Sequence, residues 1–90
     1  MEIGRVVGSV WATKKDEKLN GQKFLVLKLM ASKDKEREGL LVASDIVGAG
    51  VGDLVLISKG GSARYAIGNP NVPIDAAVVG IIDSIEVTDE

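Results

Sequence analysis

The chain has 90 residues, with 11 Lys and Arg against 13 Asp and Glu and a formal net charge of −2. This small charge argues against broad electrostatic binding to nucleic acid or to an anionic membrane. The sequence contains neither Cys nor His, which excludes disulfides, thiolate catalysis and Cys-metal sites and removes the commonest general base. We therefore expect no catalytic residue, no metal site and no cofactor.

The composition favours a small β domain. Hydrophobic residues make up 46% of the chain, and with one Trp, one Tyr and one Phe they are mostly aliphatic and β-branched. We expect residues 1–90 to form a single domain with a modest core. Because no secretory segment opens the chain and no apolar run approaches a transmembrane length, the expected compartment is the cytoplasm.

Alternating apolar residues predict five strands separated by polar or glycine-rich links. They span residues 2–12, 23–30, 40–43, 53–58 and 76–87. Gly4 and Gly8 permit the coiling that small barrels need, and Asn20-Gly21 predicts a tight turn. The core candidates of the second strand are Leu25, Leu27 and Leu29. Five strands without a long crossover helix predict an all-β fold, a small closed β-barrel of OB-like type.

The links carry two predicted helical turns. Ser44-Asp45 is expected to cap one turn through Ile46 and Val47, and Ser62 to cap another over residues 63–66, which residues 68–72 then end. The mixed-charge run at residues 32–39 is interpreted as a solvated hairpin loop.

Two glycine clusters enclose the fourth strand and admit more than one interpretation. Gly48-x-Gly50-x-Gly52 leads into a strand and lacks the spacing of a dinucleotide loop, so nucleotide binding there is disfavoured. Gly60-Gly61-Ser62 could bind an anion, but a capped turn with an Arg64 ion pair is the preferred interpretation. Because glycine lets another backbone approach closely, the clusters indicate a crowded place where segments or subunits meet.

Self-association is the function that the residue pattern alone supports most strongly. Residues 76–82 are apolar on both faces of the last strand, and a neighbouring subunit is the simplest cover for the face that does not enter the barrel. The alternative is an OB-fold module that binds single-stranded nucleic acid or a small ligand, with Trp11, Phe24 and Tyr65 as stacking residues.

Three segments resemble the bacterial microcompartment vertex family, also called the EutN/CcmL family. They are GRVVGSVWATKKDEKLNGQKFLVLKL, VASDIVGAGVGDLVLISKGGSAR and PIDAAVVGIID, and in order and spacing they span most of the chain. The resemblance implies a pentamer of OB-like barrels that closes the vertices of a carboxysome or metabolosome shell in the cytoplasm. It also implies hexameric shell proteins as partners, and a structural role without catalysis, nucleic acid or membrane.

The resemblance also implies where the contacts lie. The segment that many relatives read as Gly-Ser-Ser-Ala-Arg is Gly60-Gly61-Ser62-Ala63-Arg64 here, so the first serine is replaced by glycine and the polarity of a central pore would change. The residues expected at the subunit interface or pore are Gly60, Gly61, Ser62, Ala63, Arg64, Gly48 and Gly50. Those expected at the edge that meets shell tiles are Thr13, Lys14, Gly80, Ile81, Ile82 and Asp83.

Overall fold

A computed structural model describes residues 1–13 and 15–88 of the chain. Over these residues there are six strands, one short α-helix and one 3-10 helix at Glu17–Leu19. The strands and the helix are β1 (Glu2–Val10), β2 (Phe24–Ser32), β3 (Lys35–Glu36), β4 (Leu41–Asp45), β5 (Leu54–Lys59), α1 (Gly61–Ile67) and β6 (Ala76–Ile81).

The strands close into a barrel. Their order is β1-β5-β6-β4-β2, and β1 pairs with β2 to complete the ring, while the short β3 extends the outer edge of β2. Every pairing is antiparallel except β4 with β6, which run parallel. The OB-like β-barrel predicted from the sequence is confirmed.

The core forms because alternate residues of each strand point into the barrel. In β2, Leu25 and Leu27 are buried as predicted, while Leu29 is partly buried and packs against the same cluster. The cluster consists of Val6, Leu25, Leu27, Ala43, Ala49, Val55, Ile57, Ala76 and Val78.

The two glycines of β1 have different roles. A Cβ on Gly4 would lie 2.7 Å from Ile57 Cδ1 and 3.0 Å from the Lys28 carbonyl oxygen, so the close approach of neighbouring strands requires glycine there. A Cβ on Gly8 would meet only Val26 Cβ, at 4.0 Å. Coiling of β1 therefore depends on Gly4 for space, whereas Gly8 leaves a shallow dent outside the barrel.

Strand direction gives the barrel two ends. The end that we call the Trp11 end holds the β1–β2 link, the loop at residues 46–53 and the last residues of β6. The opposite end, the helix end, holds the amino terminus, the β2–β3–β4 connections and α1. The chain extends over 44 × 24 × 21 Å along its principal axes.

The last strand is shorter than the sequence indicates. Residues 76–87 were expected to be one strand, but β6 ends at Ile81. Its partner β5 begins at Leu54, whose carbonyl oxygen accepts a bond from the Ile82 amide, so the ladder has no further partner residue. The first strand likewise ends at Val10, two residues earlier than predicted.

The mixed-charge run is more than a solvated loop. It forms β3, which pairs with β2, so the barrel has a sixth strand that the sequence did not predict. Glu36 forms an ion pair with Arg5, and Arg37 forms one with Glu2. These pairs connect the hairpin to β1, in addition to its backbone pairing with β2.

The predicted helical turn through Ile46 and Val47 is wrong. Asp45 ends β4 in extended geometry, and its carboxylate accepts bonds from the amides of Val47, Gly48 and Ala49, at 3.1, 3.1 and 3.0 Å. The carboxylate thus satisfies the loop amides without a helix.

The second predicted turn is a longer helix with a different start. Helix α1 spans Gly61–Ile67 with Gly60 as its N-cap at φ 67°, and no side chain caps it. The Ser62 hydroxyl instead donates to the Lys59 carbonyl oxygen at 2.8 Å and lies 2.8 Å from the Ser58 hydroxyl. Capping by Ser62 is therefore wrong, whereas the expected end is confirmed by Gly68, which is left-handed at φ 88°.

Helix α1 also covers part of β6. Ala76, Ala77 and Val78 are all buried within the single chain, and α1 packs on β5 and β6 with Ala63 fully buried. The first half of β6 therefore needs no neighbouring subunit as cover, contrary to the expectation from its apolar sequence.

Candidate functional site

The Gly60–Arg64 segment occupies the helix end. Gly61 and Ser62 are exposed, Ala63 is buried against the barrel, and Arg64 is half-buried. The Arg64 Nη1 donates to the Ile74 carbonyl oxygen at 3.2 Å, so one side of the guanidinium is held by its own chain. A Cβ on Gly61 would have as its nearest neighbour Arg64 Nη2, at 3.9 Å.

A concave surface lies beside this segment. An open cavity of about 510 Å³ is lined by Gly61, Arg64, Tyr65, Gly68 and Pro70. Tyr65 is 87% exposed within the single chain. A fully exposed tyrosine next to a glycine-lined concavity is typical of a surface that meets another protein.

The Gly48 and Gly50 loop lies at the Trp11 end. Asp45 holds the loop from one side, and Asp53 Oδ2 accepts the Gly50 amide at 2.8 Å from the other. Ala49 at the centre of the loop is buried in the core, so the loop closes the barrel. Since these amides already bind carboxylates of the chain, the loop does not present them to a phosphate, and the nucleotide interpretation loses its physical basis.

The residues expected at the tile edge also lie at the Trp11 end. Thr13 is exposed on the β1–β2 link, while Lys14 lies outside the described residues. At the end of β6, Gly80 and Ile82 are half-buried, and Ile81 and Asp83 are exposed.

Strand topology therefore regroups the predicted contact residues. Gly48 and Gly50 share one end of the barrel with Thr13 and the Gly80–Asp83 segment, whereas Gly60–Arg64 lies at the opposite end. One contact region within a single chain does not include both glycine clusters. The separation of Gly48 from Gly60 follows from strand β5 between them, whereas the end that Gly48 shares with Thr13 and the Gly80–Asp83 segment depends on the strand pairing.

The three aromatic residues do not form one stacking platform. Trp11 is 93% exposed at its end of the barrel, Tyr65 is exposed at the other end, and Phe24 is half-buried on the wall. Single-stranded nucleic acid is bound by aromatic residues that follow one groove, together with basic residues. The placement of Tyr65 removes it from such a groove.

An ionic cluster that the sequence analysis missed connects β1 and β5 with the residue that follows β3. Glu2 of β1 pairs with Arg37 and, at 3.1 Å, with Lys59 of β5, and it is 25% exposed. Hydrogen bonds from Arg37 and then from Lys59 hold the pKa of the Glu2 carboxyl below its usual range, because they stabilise its charged form. Long-range pairs of this kind have no local sequence signal.

We expect Glu2→Gln to make the free energy of unfolding less dependent on pH in the acid range. Because the pKa of Glu2 is lower in the folded chain, its stabilisation is present above the ordinary carboxyl pKa and is lost as pH falls through the folded value. At pH 7 the free energy of unfolding of the wild type should exceed that of the variant by about 1 kcal/mol or less, since the ion pairs of Glu2 are partly exposed. Urea unfolding at fixed protein concentration and at a series of acid pH values measures this difference in free energy. Glu38→Gln is the control, because Glu38 lies in an exposed loop. A constant difference between the wild type and Glu2→Gln at all pH values would contradict it.

The described residues contain neither a membrane-spanning helix nor a metal-binding cluster. Within residues 1–13 and 15–88, no helix has the length and apolarity needed to cross a membrane. The same residues contain no cluster of three or more Asp or Glu side chains placed to hold a metal ion.

The closed barrel, with its parallel β4–β6 pair and α1 inserted between β5 and β6, defines a small OB-like barrel protein. Residues 1–83 match the family described as "Ethanolamine utilisation protein EutN/carboxysome". The carboxysome shell vertex protein CcmL of Thermosynechococcus vestitus is 46% identical over 85 residues, covering 94% of this chain and 86% of the relative.

Two further comparisons agree in sequence and in structure. The microcompartment shell vertex protein PduN of Salmonella typhimurium is 44% identical over 89 residues, covering 94% of this chain and 98% of the relative. The structure of GrpN from Rhodospirillum rubrum, a pentameric microcompartment shell protein, superposes with a TM-score of 0.88 at 42% identity and covers 98% of this chain and 100% of its own. The chain belongs to the EutN/CcmL family, and the resemblance is confirmed.

Proposed function

We propose that this protein is a structural shell protein, five copies of which close into a ring that caps a vertex of a bacterial microcompartment in the cytoplasm. The likeness to the pentameric shell protein GrpN over nearly the whole chain carries this proposal. The relatives named CcmL and PduN are vertex proteins as well, which supports a role in architecture and not in catalysis. We take residues 1–90 as one vertex domain.

The two ends of the barrel receive different roles in this proposal. The helix end, with Gly60–Arg64, faces the fivefold axis, where the five subunits converge. The Trp11 end, with Gly48, Gly50, Thr13 and the Gly80–Asp83 segment, faces outward to hexameric shell proteins. Their location at opposite ends of the barrel supports this arrangement. In this proposal Gly48 and Gly50 belong to the outer edge, whereas the sequence analysis expected them at the subunit interface or pore.

The purified protein is expected to be a closed pentamer at micromolar concentration. A cyclic ring uses two different surfaces of each subunit, and only a closing rotation prevents growth into a filament. Native mass spectrometry should show five times the 9.4 kDa chain mass. A stable monomer would contradict the vertex role and return attention to a monomeric OB-fold module, for which salt-sensitive binding of single-stranded DNA is the corresponding assay.

A further inference from the structure

The outward face of β1, β2 and β4 carries apolar residues across the middle of the barrel wall. Residues paired across antiparallel strands point to the same side, and Val26 pairs with both Gly8 and Val42 while Phe24 pairs with Val10. The alternate residues of β2 enter the core. We call this surface the outer wall; it consists of Gly8, Val10, Phe24, Val26 and Val42.

The outer wall differs from a sheet face that stays in water. Such a face carries polar residues at the outward positions. Here Val42 is 46% exposed and Val10 is 36% exposed, and Phe24 and Val26 are half-buried between them. Gly8 adds a dent with no side chain. The surface is therefore apolar and shallow, with space for a complementary protein surface.

Charged residues border the outer wall without entering it. Towards the Trp11 end, Lys23 lies 3.8 Å from Asp45, and towards the helix end, Arg5 pairs with Glu36. These charges are neutralised within the chain. An apolar centre surrounded by a polar margin is the usual anatomy of a protein–protein interface.

Other parts of the barrel wall already have cover from the same chain. Helix α1 lies over Ser58 and Ala77, which are buried. On the β1–β5 side, Ile85 and Val87 of the segment after β6 line a cavity of about 470 Å³ together with Ile3 and Leu56. The outer wall receives no comparable cover from the described residues.

We propose that the outer wall is where a second copy of this chain docks, as the side-to-side contact between neighbouring subunits of the ring. This inference rests on the proposed pentamer. There the two ends of each barrel point to the axis and to the periphery, so neighbours must meet through their walls. The contact is heterologous, because the outer wall of one subunit meets a different surface of the next.

The absence of cysteine from the sequence allows a direct test. In a Val42→Cys variant the only thiol sits on the outer wall, and in the matched Val51→Cys variant it sits on a loop position that is 75% exposed. In the native pentamer, V42C should react with a maleimide at least about tenfold more slowly than V51C, because reaction requires the interface to open. The two rates should become equal in urea.

A charge substitution gives an independent readout. Val42→Lys should leave the circular dichroism spectrum unchanged, because the exposed side chain leaves room for lysine, but should abolish the fivefold mass. Val51→Lys should remain pentameric. A pentamer in which V42C reacts as fast as V51C, or a V42K variant that stays pentameric, overturns the outer-wall inference alone. A wild-type monomer overturns the proposed function itself.

Discussion

Replacing Asp45 with alanine is expected to lower the free energy of unfolding by about 2 to 4 kcal/mol. The Asp45 side chain is 1% exposed, and its carboxylate accepts three successive loop amides. Removing it leaves the part-buried Ala49 amide without its acceptor, whereas water can reach the amides of Val47 and Gly48. Hydrogen bonds to a charged group contribute more than neutral ones, which sets the size of the effect.

Urea unfolding at fixed protein concentration measures the loss. Asp45→Asn keeps one side-chain carbonyl oxygen, so its free energy of unfolding should lie between those of the wild type and Asp45→Ala. Asp16→Ala is a matched control, because Asp16 also accepts a backbone amide, that of Lys18 at 2.8 Å, but on an exposed 3-10 helix. It should cost about 1 kcal/mol or less. Equal losses for Asp45→Ala and Asp16→Ala would show that the glycine loop does not depend on Asp45.

The barrel itself was predictable because its signal is local. Alternation in β2 places Leu25 and Leu27 on one side and Phe24 and Val26 on the other, whatever the strand pairs with. The alternation does not reveal how much of the second side stays in water. That depends on pairing with Val42 of β4 and on the absence of a covering helix, both of which are tertiary facts.

Strands β1 and β6 end earlier in the chain than predicted, and these ends also depend on the partner strands. Ile82, Ile85 and Val87 follow Ile81, so the sequence suggests that β6 continues. The ladder stops because β5 begins at Leu54. In the same way, β3 depends on pairing with β2, and Glu36 and Arg37 find ion-pair partners on β1, more than thirty residues away in the chain.

The relative placement of the predicted contact residues depends on the topology. Gly48 and Gly60 are only twelve residues apart and enclose one strand, which made a single crowded site the simplest interpretation. A strand separates its two ends by its own length, and β5 spans six residues at about 3.3 Å each. The family segment at Gly60–Arg64 was found by resemblance, but its distance from the tile-edge residues was not.

Arg64→Ala and Gly61→Val are expected to weaken the ring while each barrel stays folded. In the proposed arrangement the Gly60–Arg64 segment lies where subunits converge, with Arg64 donating to acceptors of the neighbour. Truncating a partly buried Arg whose acceptors then remain unpaired costs about 2 to 5 kcal/mol of interface free energy per contact. Arg64 also bonds its own Ile74 carbonyl oxygen, so part of the Arg64→Ala effect falls on the fold.

Gly61→Val separates the interface from the fold. Gly61 does not have a positive φ, and a Cβ there has no neighbour closer than 3.9 Å within the chain, so valine fits the isolated barrel. Only a neighbouring subunit would be displaced. Native mass spectrometry should show loss of the fivefold mass with an unchanged circular dichroism spectrum, and Ser84→Val, at an exposed position after β6, should remain pentameric. If Gly61→Val and Arg64→Ala both form pentamers of wild-type thermal stability, the helix end does not contribute to the subunit contact.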